Sequence, residues 1–159
     1  MVSYRLKWKT KCFIRLFKYV EEVSKLIGNR AWKILEKQIL EKRLKWIEKN
    51  REKIERIEGN DLEKAFIVFY KLYLGLDLKR DCKIVKKSKR RIIARWKNYC
   101  PVLEACKMLG LDTRKVCKLV YEKPTKIFIS KISPKVKFRR NYRKIRPYYP
   151  YCEEVLELA

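Results

Sequence analysis

Residues Arg90–Tyr121 read RRIIARWKNYCPVLEACKMLGLDTRKVCKLVY, and this stretch decides the fold. From Arg91 to Asn98 the apolar Ile92, Ala94 and Trp96 alternate with Arg91, Arg95 and Lys97, and only Ile93 interrupts the cationic side. That is the two-residue period of a strand with one buried and one wet face. Cys100-Pro101 ends it, because proline cannot donate to a ladder yet fits the first position of a helix. VLEACKML then runs to Gly110, a natural helix stop. LDTRKVCKLVYEK begins a second helix, with Asp112 or Thr113 as its cap.

Upstream, Cys82–Lys87 is a second β-like run, joined to the first by a turn at Ser88-Lys89, and together they predict a hairpin. Before it the chain reads as helix. Residues 3–27 place Phe13, Leu16, Phe17, Val20, Val23 and Ile27 on a 3.6-residue period, with Gly28-Asn29 as the stop. A longer helix is predicted from Arg30 to Ile57, striped by Trp32, Leu35, Ile39, Trp46, Ile47 and Ile54, with mixed charge on its wet face. Gly59-Asn60 breaks it. The next helix, DLEKAFIVFYKLYLG, with Asp61 as cap, is apolar nearly all round, which predicts burial at the centre of the domain.

Downstream, TKIFISKI carries the helical period past Pro124 to about Ile132, and Ser133-Pro134 ends it. From Lys135 to Tyr142 the pattern alternates again, Val136 and Phe138 against Lys135, Lys137 and Arg139, and CEEVLEL supplies a last strand whose glutamates partly neutralise their basic neighbours. The expected architecture is α+β. A helical N-terminal half, residues 1–78, packs on a small, mainly antiparallel sheet in a strongly basic 79–159 part, with two or three further helices. At 159 residues the chain reads as one domain with a sizeable core.

Composition narrows the chemistry. There is no histidine, so Ser-His-Asp and Cys-His catalysis and His-ligated zinc are excluded. The longest apolar run, Ala65–Tyr70, is far short of the roughly 20 residues of a membrane span, and no targeting segment is evident, so the reading is cytoplasmic. The six cysteines then read as buried thiols or metal ligands before disulfides. With 43 Lys+Arg against 18 acids the net charge is +25. Residues 79–146 concentrate it, with 24 cations and only Asp81, Glu104, Asp112 and Glu122 as acids. A thermophile-like surface would mix both signs; this excess points instead to nucleic acid or another polyanion.

Three candidate constellations follow. Cys100, Cys106, Cys117 and Cys152 could hold zinc or an iron–sulfur cluster, although their spacing fits no common pattern; alternatively Cys106 and Cys117 are small buried hydrophobes. Cys100, at a helix start, is expected to have a depressed thiol pKa, and with Glu104 as base it is a candidate nucleophile, against Glu104 as ordinary helix surface. Second, the two helices about Gly110 allow a helix-turn-helix with Arg114, Lys115 and Lys118 toward DNA. Third, Arg91, Arg95, Lys97, Lys135, Lys137, Arg139, Arg140, Arg143, Lys144 and Arg146 form a basic face, with Tyr142, Tyr148, Tyr149 and Tyr151 available to stack on unpaired bases of RNA or single strands.

YCPVLEACKMLG, VCKLVYEKPTKIFISKISPKVKF and YPYCEEVLEL together resemble the C-terminal part of the L-2-amino-thiazoline-4-carboxylic acid hydrolase-like family, related in shape to 4-vinyl-reductase-type ligand-binding domains. The resemblance covers about half the chain. It implies an α+β fold with a small-molecule pocket between helices and sheet, near Cys100, Glu104, Cys117 and Cys152. Tyr149-Pro150-Tyr151 stands where members often have Gly-Asp, and the positive charge is not a family trait. The resemblance implies no particular reaction.

Overall fold

The computed structural model describes residues 2–159. Its helices are α1 (Tyr4–Ile27), α2 (Arg30–Lys49), α3 (Arg51–Glu55), α4 (Asp61–Phe66), α5 (Leu78–Asp81), α6 (Pro101–Leu109), α7 (Thr113–Val116) and α8 (Glu122–Ile132). Four strands, β1 (Cys82–Lys87), β2 (Arg91–Trp96), β3 (Val136–Asn141) and β4 (Cys152–Leu158), form one antiparallel sheet in the order β1-β2-β4-β3. The helical N-terminal half packs on that sheet, so the architecture is α+β as the pattern predicted.

Local chemistry sets the boundaries. The Ser3 side chain accepts from the Leu6 amide to start α1, and Gly28, at φ 62°, ends it. The single helix expected over Arg30–Ile57 is interrupted at Asn50, whose side-chain amide donates to the Trp46 carbonyl at 2.8 Å and competes with the helical ladder. Asn60 rather than Asp61 caps α4. Its side chain accepts from the Glu63 amide while Glu63 reaches back, a reciprocal pair that satisfies two otherwise free donors. Gly110 takes the left-handed conformation at φ 66° that closes α6.

Two segments leave the α-helical pattern. Residues Ile67–Tyr73 continue α4, and Cys117–Tyr121 bridge α7 and α8, both wound as π-helix. Thr113–Ile132 is therefore one continuous helical run rather than a turn and a free recognition helix, and Arg114 is tied to Asp112 at 2.9 Å. The helix expected after Gly110 is present and, as the apolar period predicted, continues past Pro124 to Ile132.

The strand registers divide the sheet into two faces. Ile92, Ala94, Trp96, Val136, Phe138 and Leu156 are all buried, against Leu62, Ala65, Phe66, Val68, Phe69, Tyr70, Phe128 and Ile129. A second cluster joins Phe17, Val20, Ala31, Trp32 and Leu35 of α1 and α2 to Ala105, Cys106, Val116 and Val120. The continuous apolar surface of α4 and its π-helical extension is thus central, as its lack of a polar face required. Among the described residues no helix is long and apolar enough to cross a membrane.

Candidate functional site

The core face of the sheet carries charge as well as oil. Arg140 and Glu154 stand opposite each other on β3 and β4, in the rows that also hold Phe138 and Leu156. Parity puts Arg140 on the side of Val136 and Phe138, so its assignment to the outward basic face is corrected: the side chain points into the protein and is 12% exposed. Its Nε and Nη2 donate to Glu154 Oε1 at 2.7 and 2.6 Å, and the Tyr70 hydroxyl donates to Glu154 Oε2 at 2.6 Å. Burial works against the Arg140 charge, yet Glu154 more than compensates and holds the guanidinium firmly protonated. Arg140 Nη1 is buried without a partner.

A second guanidinium lies nearby. Arg43 of α2 is 5% exposed, packs over the rings of Phe69 and Tyr73 at 5.4 and 5.6 Å, and donates from Nη1 to Thr125 Oγ1 at 2.7 Å. Thr125 in turn donates to the Tyr121 carbonyl at 2.7 Å. No carboxylate comes within ion-pair distance of Arg43 among the described residues, and its Nε has no partner. Burial, aided by the charge of Arg140, lowers the Arg43 pKa against the opposing pull of Tyr73 and Tyr121. The Tyr121 hydroxyl, at the end of the second π-helical segment, is also buried and unpartnered, and burial raises its pKa far above the ordinary value.

The neighbourhood of Arg43 and Arg140 therefore holds two guanidinium groups and one carboxylate, Glu154, with three of the seven buried polar atoms left unpartnered among the described residues: Arg43 Nε, Arg140 Nη1 and Tyr121 Oη. Each buried, unsatisfied polar atom costs about 1–3 kcal/mol, more when charged, so three in one neighbourhood are a departure to be explained. Both π-helical segments border the group, through Tyr70 and Tyr73 from one and Tyr121 from the other. Single π-helical insertions recur at functional sites because they displace side chains from the regular α-helical faces.

The thiols adjoin this cluster. Cys117 is close enough to Arg140, Cys100, Cys152 and Cys106 to feel their charges, and burial pushes it to about 12. Cys106 is likewise held at about 12 by burial. Cys100 corrects an expectation: although it stands at the start of α6 and is near the Leu103 and Val102 amides, desolvation outweighs them and its pKa is raised. An unreactive thiol follows, because the thiolate is the nucleophile. Glu104 is not drawn toward Cys100; its carboxylate meets Lys107 at 3.2 Å. Among the described residues no three Cys, Asp or Glu side chains converge as a metal-ligand set, so Cys100, Cys106, Cys117 and Cys152 share a neighbourhood without forming a coordination shell. The two best-formed surface hollows lie elsewhere, one of about 440 Å³ along Leu44, Arg51, Ile54 and Ile132 and one of about 330 Å³ beside Lys86, Arg91 and Glu157.

The opposite sheet face is more balanced than its strands suggested. Glu157 meets Arg91 and Arg139, each at 2.8 Å, and Glu153 meets Arg95 at 2.9 Å and Lys144 at 3.2 Å. Burial opposes the Glu153 charge, but Arg95, Asn141 and Lys144 overcome it and depress the carboxyl pKa. Arg146 turns inward, its Nη1 donating to the Asn98 carbonyl at 2.7 Å. Lys97, Lys135, Lys137 and Arg143 remain exposed without an ion-pair partner among the described residues, as do Lys83 and Lys86 of β1. Of the tyrosines, Tyr151 stacks under Arg95 at 4.5 Å and Tyr148 under Arg114 at 4.2 Å, while Tyr142 donates to Glu122 at 2.9 Å.

Two residues central to the cluster were absent from the sequence-based candidates, Arg43 and Tyr121. A signal existed for Arg43: it falls four after Ile39 and three before Trp46, on the apolar stripe of its helix.

The chain matches no protein-family model and no curated protein. Its class rests on fold and site alone: an α+β domain with a cationic, thiol-flanked interior and an open, net-positive sheet face.

Proposed function

We propose that this protein is a small-molecule-binding domain whose ligand carries an anionic group, such as a carboxylate or phosphate, received by Arg43, Arg140 and Tyr121 beside Cys117 and Cys100. The observation that carries the reading is the setting of two guanidinium groups against the single carboxylate of Glu154 around Arg43, together with the three unpartnered polar atoms there. An isolated buried charge costs several kcal/mol, and an anion that reaches it supplies both the missing charge and the missing acceptors. Arginine suits the role, since its planar fork presents several donors to one oxyanion. The resemblance to the hydrolase-like family, which implies a pocket in the same region, agrees with this reading. The raised thiol pKa values argue against nucleophilic chemistry at the cysteines and fit buried thiols that line the neighbourhood as small apolar groups.

The test is thermal unfolding in acetate, malonate and inorganic phosphate against chloride at equal ionic strength. An anion present at 100 times its Kd stabilises by about 2.7 kcal/mol, which for a chain of this length raises Tm by roughly 5–10 °C. Arg43→Met should abolish the increment and Lys137→Glu should keep it. If the increment survives in Arg43→Met, or no oxyanion gives one, the interior is not the site.

A second reading is favoured by the uncovered sheet face, where Lys83, Lys86, Lys97, Lys137 and Arg143 exceed the two glutamates available. Unpaired nucleic acid laid across it would bind with a salt slope of about −0.7 per neutralised phosphate. A slope unaffected by Lys83→Glu and Lys137→Glu ends this reading.

A further inference from the structure

The inward side of α1 is accounted for by Phe17 and Val20, but its outward side is not. Tyr4, Trp8, Tyr19 and Leu26 are 84%, 58%, 69% and 85% exposed. At 100° per residue these four fall within one narrow stripe, and at 1.5 Å per residue the stripe runs about 33 Å. Along one flank of it stand Lys7, Lys11 and Lys18, with Arg15 in its midst and Arg5 on the other side. From Met1 to Val20 there are six cations and no acid, and among the described residues none of those six forms an ion pair. Elsewhere acids answer cations, as Glu153 and Glu157 do on the sheet; here the one acid on the stripe, Glu22, is taken up by Lys25 at 2.7 Å and leaves the six unanswered.

We propose that this face of α1 docks on an anionic lipid surface, lying in the plane of the interface rather than crossing it. Tryptophan and tyrosine favour the headgroup level, where an apolar ring and a polar tip are both satisfied, and leucine gains from the acyl boundary just below. The flanking lysines then reach lipid phosphates and anionic headgroups. Charge complementarity selects this occupant over the others. A second copy of the chain would set six cations against six. A nucleic acid would satisfy the lysines but leave Leu26 and much of Trp8 in water. The surface is separate from the interior cluster, so neither proposal depends on the other.

The experiment is co-flotation of the full chain with vesicles of phosphatidylcholine alone and of phosphatidylcholine mixed with phosphatidylserine, with tryptophan emission read on the same samples. Trp8 is the most exposed tryptophan, Trp32 and Trp96 being 5% and 3% exposed, so insertion of α1 registers as a blue shift. Binding and blue shift are expected only with phosphatidylserine. Both should fall at least about tenfold in Lys7→Glu/Lys11→Glu/Lys18→Glu and in Trp8→Ser/Tyr19→Ser, whose side chains are exposed and whose melting should match the parent protein. Because the whole chain is a polycation, Lys83→Glu/Lys86→Glu/Lys137→Glu is the decisive control and should retain binding. Equal loss in that variant, or flotation without a blue shift, reduces the effect to diffuse attraction and overturns the proposal. So does a Trp8-dependent dimer that forms without lipid, or displacement of α1 from vesicles only by single-stranded nucleic acid bound to the same lysines.

Discussion

Glu154→Gln removes the one carboxylate that answers Arg140. In the native protein Oε1 receives two guanidinium N–H groups at 2.7 and 2.6 Å and Oε2 receives the Tyr70 hydroxyl at 2.6 Å. The pair is 12% and 7% exposed, so solvent screens it little. Glutamine keeps the shape and one acceptor, but it leaves a second uncompensated guanidinium beside Arg43. Breaking a buried pair from one side costs about 3–5 kcal/mol. At about 2–4 °C per kcal/mol for a chain of this length, Tm should fall by roughly 6–20 °C. Arg140→Met alone strands the carboxylate, softened by Tyr70, and should cost a comparable amount. The double variant removes both charges and should recover most of the loss, since well-packed apolar groups often replace a buried pair without penalty. Urea or thermal unfolding of the four proteins closes a double-mutant cycle. A coupling energy below about 0.5 kcal/mol, the level of independent sites, or native stability in Glu154→Gln, would refute the placement of this pair in the interior.

Alkaline stability tests the thiols. Cys82 is pushed to about 11 and Cys106 and Cys117 to about 12, from an ordinary 9.0, all chiefly by burial. Above pH ~9 the unfolded chain gives up protons that the folded chain retains, so stability is intact below that pH and drains away as pH climbs toward 12. Cys117→Ala should flatten this limb, and urea midpoints from pH 7 to 11 that do not move would contradict the burial. Thiol labelling checks the same arrangement by rate: Cys12 is exposed and Cys106 fully buried. One fast equivalent at Cys12 is expected at neutral pH, slower reaction at the half-buried Cys82, Cys100, Cys117 and Cys152, and reaction of Cys106 only on unfolding; early modification of Cys106 would show that the interior opens readily.

The alternation in the strands and the breaks at Gly28, Cys100-Pro101, Gly110 and Ser133-Pro134 were legible because each follows from local backbone chemistry. The hairpin, the central helix and the last strand followed in the same way. That the glutamates of the last strand would partly neutralise basic neighbours was legible too; what the sequence hid was which strands those neighbours are. The order β1-β2-β4-β3 places β4 between two basic strands, so that Glu153 and Glu157 reach partners 58 and 66 residues earlier in Arg95 and Arg91. No local pattern announces that neighbour. Arg43 was passed over and Arg140 misplaced for a different reason: period placed each on an apolar face, three and four residues from Trp46 and Ile39 in one case and two from Phe138 in the other. The ordinary rule that arginine belongs outside prevailed over the periodicity. Such conflicts between residue type and pattern are where functional sites are expected, since a fold tolerates a local violation only when its surroundings compensate it.

The same reasoning explains why charge has a different meaning in different parts of this molecule. Acids are few, and the fold places several where cations are already crowded: Glu154 inside, Glu153 and Glu157 on the sheet, Glu122 beside Lys126 at 2.6 Å. With those acids engaged, and besides the exposed lysines of the sheet face, two regions are left with more cations than acids to answer them, the Arg43 neighbourhood in the interior and the outward face of α1. In the first, low dielectric makes the deficit costly and small in number, which suits one anionic group of a small ligand. In the second, water makes each charge cheap, and only many together, set beside exposed aromatic side chains, can favour an extended anionic surface. The net charge alone would have assigned both to one polyanion. Burial separates them, because a guanidinium shielded from solvent selects for contact geometry while a row of exposed lysines responds mainly to ionic strength.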